Sequence, residues 1–115
     1  MTELIGIVRF KFHEGKVDDF KRLSAECLEI VREKDTGTLQ YDTFLNEDES
    51  EAIVIERFTD SDALILHGGN MNPLMEQIMA VGSISGELLG DPSEELQALL
   101  TGEYPKVFRL YQSLY

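Results

Sequence analysis

With 115 residues, the chain has the size of a single domain that can bury a hydrophobic core. Its 43% hydrophobic and 28% charged residues are typical of a globular protein, and no apolar run approaches the length of a membrane span. The formal net charge of −12 disfavours nucleic-acid and anionic-membrane partners, because phosphate-binding surfaces need clustered lysines and arginines. The N-terminal stretch lacks the basic start of a signal peptide, so we expect a cytoplasmic location.

The first predicted elements are a strand and a long amphipathic helix. In the strand, Leu4–His13, the even-numbered residues form an apolar face that can pack under helices. In the helix, Val17–Lys34, apolar residues recur at helical spacing, and acidic and basic residues at its two ends complement the helix dipole. The single cysteine, Cys27, lies on the apolar face of this helix, which predicts a buried and unreactive thiol. No cluster of cysteines and histidines predicts a metal site.

A strand, a polar reversal and a second strand are predicted next. Residues Leu39–Phe44 alternate in the period of a half-buried strand. Asn46–Glu51 is polar throughout, so the chain is predicted to reverse there. Ala52–Phe58 is apolar and rich in β-branched residues, which is typical of a central strand.

A capped helix is predicted to follow the second of these strands. Thr59 and Asp62 match the Ser/Thr-x-x-Asp/Glu capping pattern, so the helix is predicted to begin close to Asp60. Gly68 and Gly69 are predicted to end it, since glycine is the residue that most often stops a helix.

A further helix and strand complete the main part of the chain. Asn72 and Pro73 match an N-cap followed by proline at the first helical position, and Gly82 is predicted to end that helix. Residues Ser83–Leu89 predict a strand that Gly86 interrupts.

Residues 91–115 predict a C-terminal extension of one helix and one strand. Asp91 and Pro92 again match an N-cap followed by proline, and Gly102 is predicted to end the helix. Residues Pro105–Tyr115 are predicted to form the closing strand. We expect residues 1–115 to form one domain.

The order of the predicted elements favours an α+β fold of the ferredoxin-like βαββαβ type, with helices on one face of an antiparallel sheet and a helix–strand extension. The strands are apolar on both faces, as shown by Ile5 and Ile7 against Val8 and Phe10. A monomer would therefore expose a large apolar patch on the face without helices. We expect a homodimer in which two sheets pair face to face.

The central stretch resembles the antibiotic biosynthesis monooxygenase family, which includes small quinol monooxygenases. The resemblance covers roughly residues 4 to 82 and depends on Gly37, Tyr41, Glu56-Arg57-Phe58, Ala63 and His67. It implies a dimeric α/β barrel that needs no bound cofactor. It also implies that an electron-rich small aromatic or quinol-type substrate is deprotonated, passes an electron to O₂ and is converted through a peroxide into a quinone.

The resemblance implies that His67 is the catalytic base. The alternative is a histidine at a helix end that bonds a backbone carbonyl, and the residues alone leave both open. Glu56 is expected to pair with an arginine, and a catalytic role is the alternative. The candidates for binding a substrate or its anion are Arg9, Tyr41, Arg57, Asn72, Met75 and Arg109. Each also has a structural alternative, namely ion pairing for the arginines, strand packing for Tyr41, capping for Asn72 and core filling for Met75.

The same fold is compatible with two other functions. Haem degradation is disfavoured because the chain has no tryptophan and because Val8 and Gln77 stand where the haem-degrading members have an asparagine and an iron ligand. The other is a non-catalytic dimeric protein that binds a small molecule or acts in stress. An open cavity near His67 would favour the enzyme, whereas a cavity filled by Met75, Met79 and the tail would favour binding or a structural role.

Overall fold

The computed structural model describes residues 3–115 of the chain. Five strands are present: β1 (Leu4–Phe12), β2 (Thr38–Leu45), β3 (Glu51–Phe58), β4 (Gly82–Leu89) and β5 (Lys106–Phe108). The helices are α1 (Val17–Lys34), α2 (Ser61–Met71), α3 (Met75–Met79) and α4 (Glu94–Leu99), with a 3₁₀ turn, Asn72–Leu74, between α2 and α3.

The strands form one open sheet in the order β2-β3-β1-β4-β5. The predicted α+β fold with a ferredoxin-like order of elements is therefore confirmed. The four strands of the ferredoxin-like unit, β1 to β4, pair antiparallel as expected, and β5 of the extension pairs in parallel with the end of β4. The cause is the crossover through α4, which returns the chain to the sheet in the direction of β4.

The closing strand is much shorter than predicted. Within Pro105–Tyr115 only Lys106–Phe108 pairs with the sheet, against Glu87–Leu89. The rest of the tail is highly exposed, with Tyr111 at 95% and Tyr115 at 104% of full exposure. The alternation of apolar residues in this segment is typical of a strand. However, β4 ends at Leu89, so β4 has no further residues with which the tail beyond β5 could pair.

Helix α2 begins where the sequence predicts and ends later. The side chain of Asp60 caps it by accepting a hydrogen bond from the backbone N–H of Ala63 at 2.9 Å. The predicted end at Gly68 and Gly69 is wrong, because neither glycine has a positive φ and the helix continues to Met71. Glycine in a helix interior costs about 1 kcal/mol relative to alanine, which burial of one helix face against the sheet can offset.

Two other predicted N-caps are not formed by the residues that the sequence indicates. Asn72 opens the 3₁₀ turn and makes no side-chain cap to α3, which begins only at Met75. In the extension, Ser93 rather than Asp91 caps α4, by accepting from the N–H of Leu96 at 3.1 Å. In both places the proline lies before the α-helix instead of at its first position.

The helices cover the face of the sheet that carries the even-numbered residues of β1, as predicted. The core of this layer joins the sheet to α1 through Phe10, Phe20, Leu23 and Val54. Cys27 is buried there, as the sequence predicts. The opposite face carries the odd-numbered residues of β1 and β3. No helix within residues 3–115 is long and apolar enough to cross a membrane.

Candidate active site

His67 lies on the inner face of α2, between two carboxylates. Its side chain is 7% exposed, and its Nδ1 lies 2.7 Å from Oδ2 of Asp35. Its Nε2 lies 4.0 Å from Oε2 of Glu56, which is beyond hydrogen-bond distance. Because an ionised carboxylate only accepts, the short contact to Asp35 assigns a proton to Nδ1. In the neutral ring, Nε2 is then the acceptor that points towards Glu56.

Asp35 fixes the orientation of this imidazole. Its side chain is only 1% exposed and also accepts hydrogen bonds from Asn70 Nδ2 at 2.8 Å and Thr38 Oγ1 at 2.7 Å. Burial acts to raise the pKa of Asp35, but the hydrogen bonds from Asn70, Thr38 and His67 outweigh it and hold the pKa below its ordinary value of 3.8. Asp35 is therefore a stable negative charge beside the ring.

A glycine allows the chain segment after Asp35 to approach α2 closely. A methyl group at Gly37 would lie 2.5 Å from the Cβ of Ala63, one helical turn before His67. The carbonyl of Gly37 also accepts from the N–H of Thr59 at 2.9 Å. This contact keeps the start of β2, and with it Asp35, against the helix that carries His67.

Glu56 is the buried carboxyl group of β3. It faces the helix layer opposite Gly6, where a Cβ would lie only 3.3 Å from Oε1, so the glycine leaves space for the carboxyl group. Burial raises the pKa of Glu56 to about 7, His67 acts to lower it and the charge of Asp35 acts to raise it. Near neutral pH both its acid and its base forms are present, which suits a group that transfers protons.

A cavity of about 600 Å³ opens beside Glu56, between the sheet and the layer formed by α2, α3, α4 and the tail. Its volume lies within the range of pockets that bind drug-sized ligands. Most of its wall is apolar and comes from the sheet, α2, α3 and the C-terminal extension: Val8, Phe58, Leu64, Ile65, Gly68, Gly69, Met75, Ile84, Leu88, Leu96, Leu99, Leu100, Tyr104 and Pro105. Glu56 lines the cavity while His67 lies behind it, so the three ionisable groups form the series Asp35, His67, Glu56.

Of the other predicted substrate-binding residues, only Met75 lines this cavity. Asn72 is exposed and does not line it. The ring of Tyr41 lies 5.6 Å from that of His67, but its hydroxyl is hydrogen-bonded to Cys27, and burial strongly raises its pKa. Tyr41 lines a separate void of about 40 Å³ beside α1.

The three candidate arginines lie outside the cavity, and each contacts a carboxylate. Arg9 contacts Glu87 at 3.0 Å. The other pairs are Arg57 with Glu3 at 2.8 Å and Arg109 with Asp91 at 3.3 Å. The prediction that Glu56 pairs with an arginine is wrong, since the basic side chain beside it is the imidazole of His67, with Nε2 at 4.0 Å from Oε2 of Glu56.

Sequence reasoning did not select Asp35, although it contacts both His67 and Asn70. Asp35 follows the end of α1 and Asn70 lies beyond the glycines that were predicted to stop α2, so only the tertiary fold brings them together. Glu56 did carry a local signal. It is the one charged residue among the alternate positions of β3 that face the helices, where the others are Ala52, Val54 and Phe58.

Comparison with known proteins gives a family and several related folds. The family model of antibiotic biosynthesis monooxygenases matches residues 4–71. MupZ from Pseudomonas fluorescens is 25% identical with a TM-score of 0.84, over 100% of this chain and 95% of that one. Rv0793 from Mycobacterium tuberculosis is 21% identical with a TM-score of 0.70, over 81% and 98%. SnoaB from Streptomyces nogalater, a cofactor-independent oxygenase, is 18% identical with a TM-score of 0.69, over 81% and 96%. No curated protein sequence matches the chain.

Proposed function

Because the chain belongs to the antibiotic biosynthesis monooxygenase family, we propose that it oxidises an aromatic or quinol-type substrate with O₂ without a bound cofactor. SnoaB, which shares the fold, is described as a cofactor-independent oxygenase. The observation that carries the proposal is the buried carboxyl group of Glu56, which lines an apolar cavity of about 600 Å³ and has His67 and Asp35 behind it.

The first step of the proposed reaction is proton removal from the substrate. A phenolic O–H in the cavity donates to the carboxylate form of Glu56, which takes the proton. His67, the base expected from the sequence, then accepts the proton from Glu56 at Nε2 after the 4.0 Å gap closes to hydrogen-bond distance. The negative charge of Asp35 stabilises the imidazolium that forms and keeps the ring oriented.

The second step is the reaction of the substrate anion with O₂. The anion gives one electron to O₂, and the two radicals combine so that a C–O bond forms and a peroxide remains on the carbon. The hydrogen on that carbon then leaves as a proton while the O–O bond breaks, so that the carbon becomes a quinone carbonyl. The outer oxygen takes up this proton and departs, which leaves one atom of O₂ in the quinone and one in the water that forms. The proton held by Glu56 and His67 returns to the departing oxygen. The apolar walls lower the polarity around the peroxide.

The open cavity favours this enzyme over a non-catalytic binding protein of the same fold. Met75 and the tail residue Tyr104 lie in the cavity wall without filling the space. Met79, which was considered as a filling residue, is 63% exposed and lies outside the wall. A buried titratable carboxyl group would also be an unfavourable feature in a site that only binds apolar molecules.

The experiment is to measure O₂ uptake and quinone absorbance with metal-free and flavin-free protein and 1,4-dihydroxynaphthalene, after subtraction of the rate in buffer. We expect uptake that His67→Ala and Glu56→Gln each lower by about 100-fold, the lower range for loss of a general base. Arg32→Gln, on the exposed surface of α1 and outside the cavity, is the matched control and keeps the full rate. Wild-type protein that binds the quinol without O₂ uptake, or full activity in both site variants, would contradict the proposal.

A further inference from the structure

The wall of the cavity has no cation among the residues that the structure describes. Of the residues that line it, only Glu56 and Glu87 are charged. The carboxylate of Glu87 forms an ion pair with Arg9 on the face of the sheet that points away from the cavity. The candidate cations Arg9, Arg57 and Arg109 are each held by a carboxylate elsewhere. The free charge that a ligand meets in the cavity is therefore that of Glu56.

This charge distribution disfavours an anionic ligand for two physical reasons. An anion that leaves water for an apolar wall loses its solvation, and no lysine or arginine within residues 3–115 compensates for the loss there. When Glu56 is ionised, it also repels a second negative charge in a medium of low dielectric constant. A neutral aromatic molecule meets neither penalty and can still donate a hydrogen bond to Glu56.

From these observations we propose that Glu56 makes the cavity selective for uncharged aromatic substrates and excludes their carboxylated analogues. The inference rests on the proposed function, because it names the substrate class of that same site. Selection against the charged analogue is then a consequence of a carboxylate in a wall that contains no lysine or arginine, in addition to the contacts that favour the neutral molecule.

The C-terminal extension gives a way to alter this selectivity without disturbing the core. Leu99 of α4 lines the cavity while 60% of its surface is exposed, so a long polar side chain can be placed there. Leu110 in the tail is exposed to nearly the same extent, 57%, and does not line the cavity. The two positions form a matched pair for the introduction of one positive charge.

The test measures binding of 2-naphthol and 6-hydroxy-2-naphthoate to the full chain by calorimetry at about pH 8, where most of Glu56 is ionised. Neither probe has to be oxidised, so a failed oxygen assay and a failed binding assay are distinguishable. We expect the neutral probe to bind at least about tenfold more tightly than the carboxylate, a difference that reflects desolvation and repulsion together. Glu56→Gln lowers this ratio several-fold.

Leu99→Arg also lowers the ratio by improving binding of the carboxylate, and Leu110→Arg leaves it unchanged. The exposed position of Leu99 keeps the proposal testable even if Glu56→Gln does not fold. A ratio below tenfold, no measurable binding of 2-naphthol, or a ratio that the folded Glu56 and Leu99 variants leave unchanged would overturn the proposal.

Discussion

Glu56 links the stability of the fold to pH. Burial raises its pKa from an ordinary 4.5 to about 7, so the folded protein binds more protons than the unfolded chain between these values. The free energy of unfolding therefore decreases as pH rises from about 4.5 to about 7, by about 3 kcal/mol in all. The ionisable groups around Glu56 are Asp35 after α1, His67 on α2, Tyr41 on β2 and Cys27 on α1.

We expect Glu56→Gln to remove this loss of stability, because the amide keeps the shape of the side chain without a charge. Urea unfolding at about pH 5 and pH 8 would show the variant gaining up to about 3 kcal/mol at the higher pH relative to the wild type. Glu47→Gln in the exposed reversal changes the net charge equally and serves as the control. An equal pH dependence in wild type and Glu56→Gln would show that the carboxyl group is not desolvated.

At the level of single residues, the sequence predicts part of the candidate site. His67 follows from the family resemblance and Met75 from the methionines of its segment, whereas the sequence predicts for Glu56 mainly a pair with an arginine. The contact of His67 with Asp35 joins residues that are far apart in sequence, and no local pattern encodes it. The arginines were considered because charge is rare on strands, yet the sequence does not reveal that each meets a carboxylate across the sheet or from the tail.

Among the elements, α2 shows how packing overrides local preference. Helix propensity alone predicts that its two glycines end α2. The helix continues through them because Ala63, His67 and Met71 are buried along one of its faces. The N-terminal elements follow their local patterns closely, since α1 is strongly amphipathic and occupies the predicted Val17–Lys34. The C-terminal extension differs most from its prediction. Its helix cap and its short strand depend on where the sheet is available for pairing, and the local sequence does not show this.

Replacement of Gly69 by alanine tests the helical continuation. Nothing lies within 4 Å of a Cβ placed at Gly69 or at Gly15 in the turn before α1, so the two sites differ in backbone conformation. Gly15 has a φ of +78°, a conformation that side chains disfavour. We expect Gly69→Ala to raise the free energy of unfolding by about 0.5–1 kcal/mol and Gly15→Ala to lower it, as measured by urea unfolding. Loss of stability in Gly69→Ala would show that α2 does not continue in solution.

For the whole molecule, the important feature is the sheet face without helices. In register across β1 and β3, Ile7 lies opposite Ile55, and Ile5 and Ile53 continue the same face. Phe44 of β2, next to Ile53, is 54% exposed. Members of the family are typically dimeric. An apolar surface of this kind is more favourable when a second copy covers it than when water does.

We therefore expect a homodimer that forms through this face and that Ile7→Arg dissociates, because the interface would have to bury an unpaired charge. Light scattering after size-exclusion chromatography at micromolar concentration gives the mass of each form. Leu66→Arg is the matched control, since Leu66 lies on the outer surface of α2 at 38% exposure and should leave the dimer intact. A monomeric wild type would contradict the expectation. A dimer that resists Ile7→Arg and is lost in Leu66→Arg would place the interface on the helix layer instead.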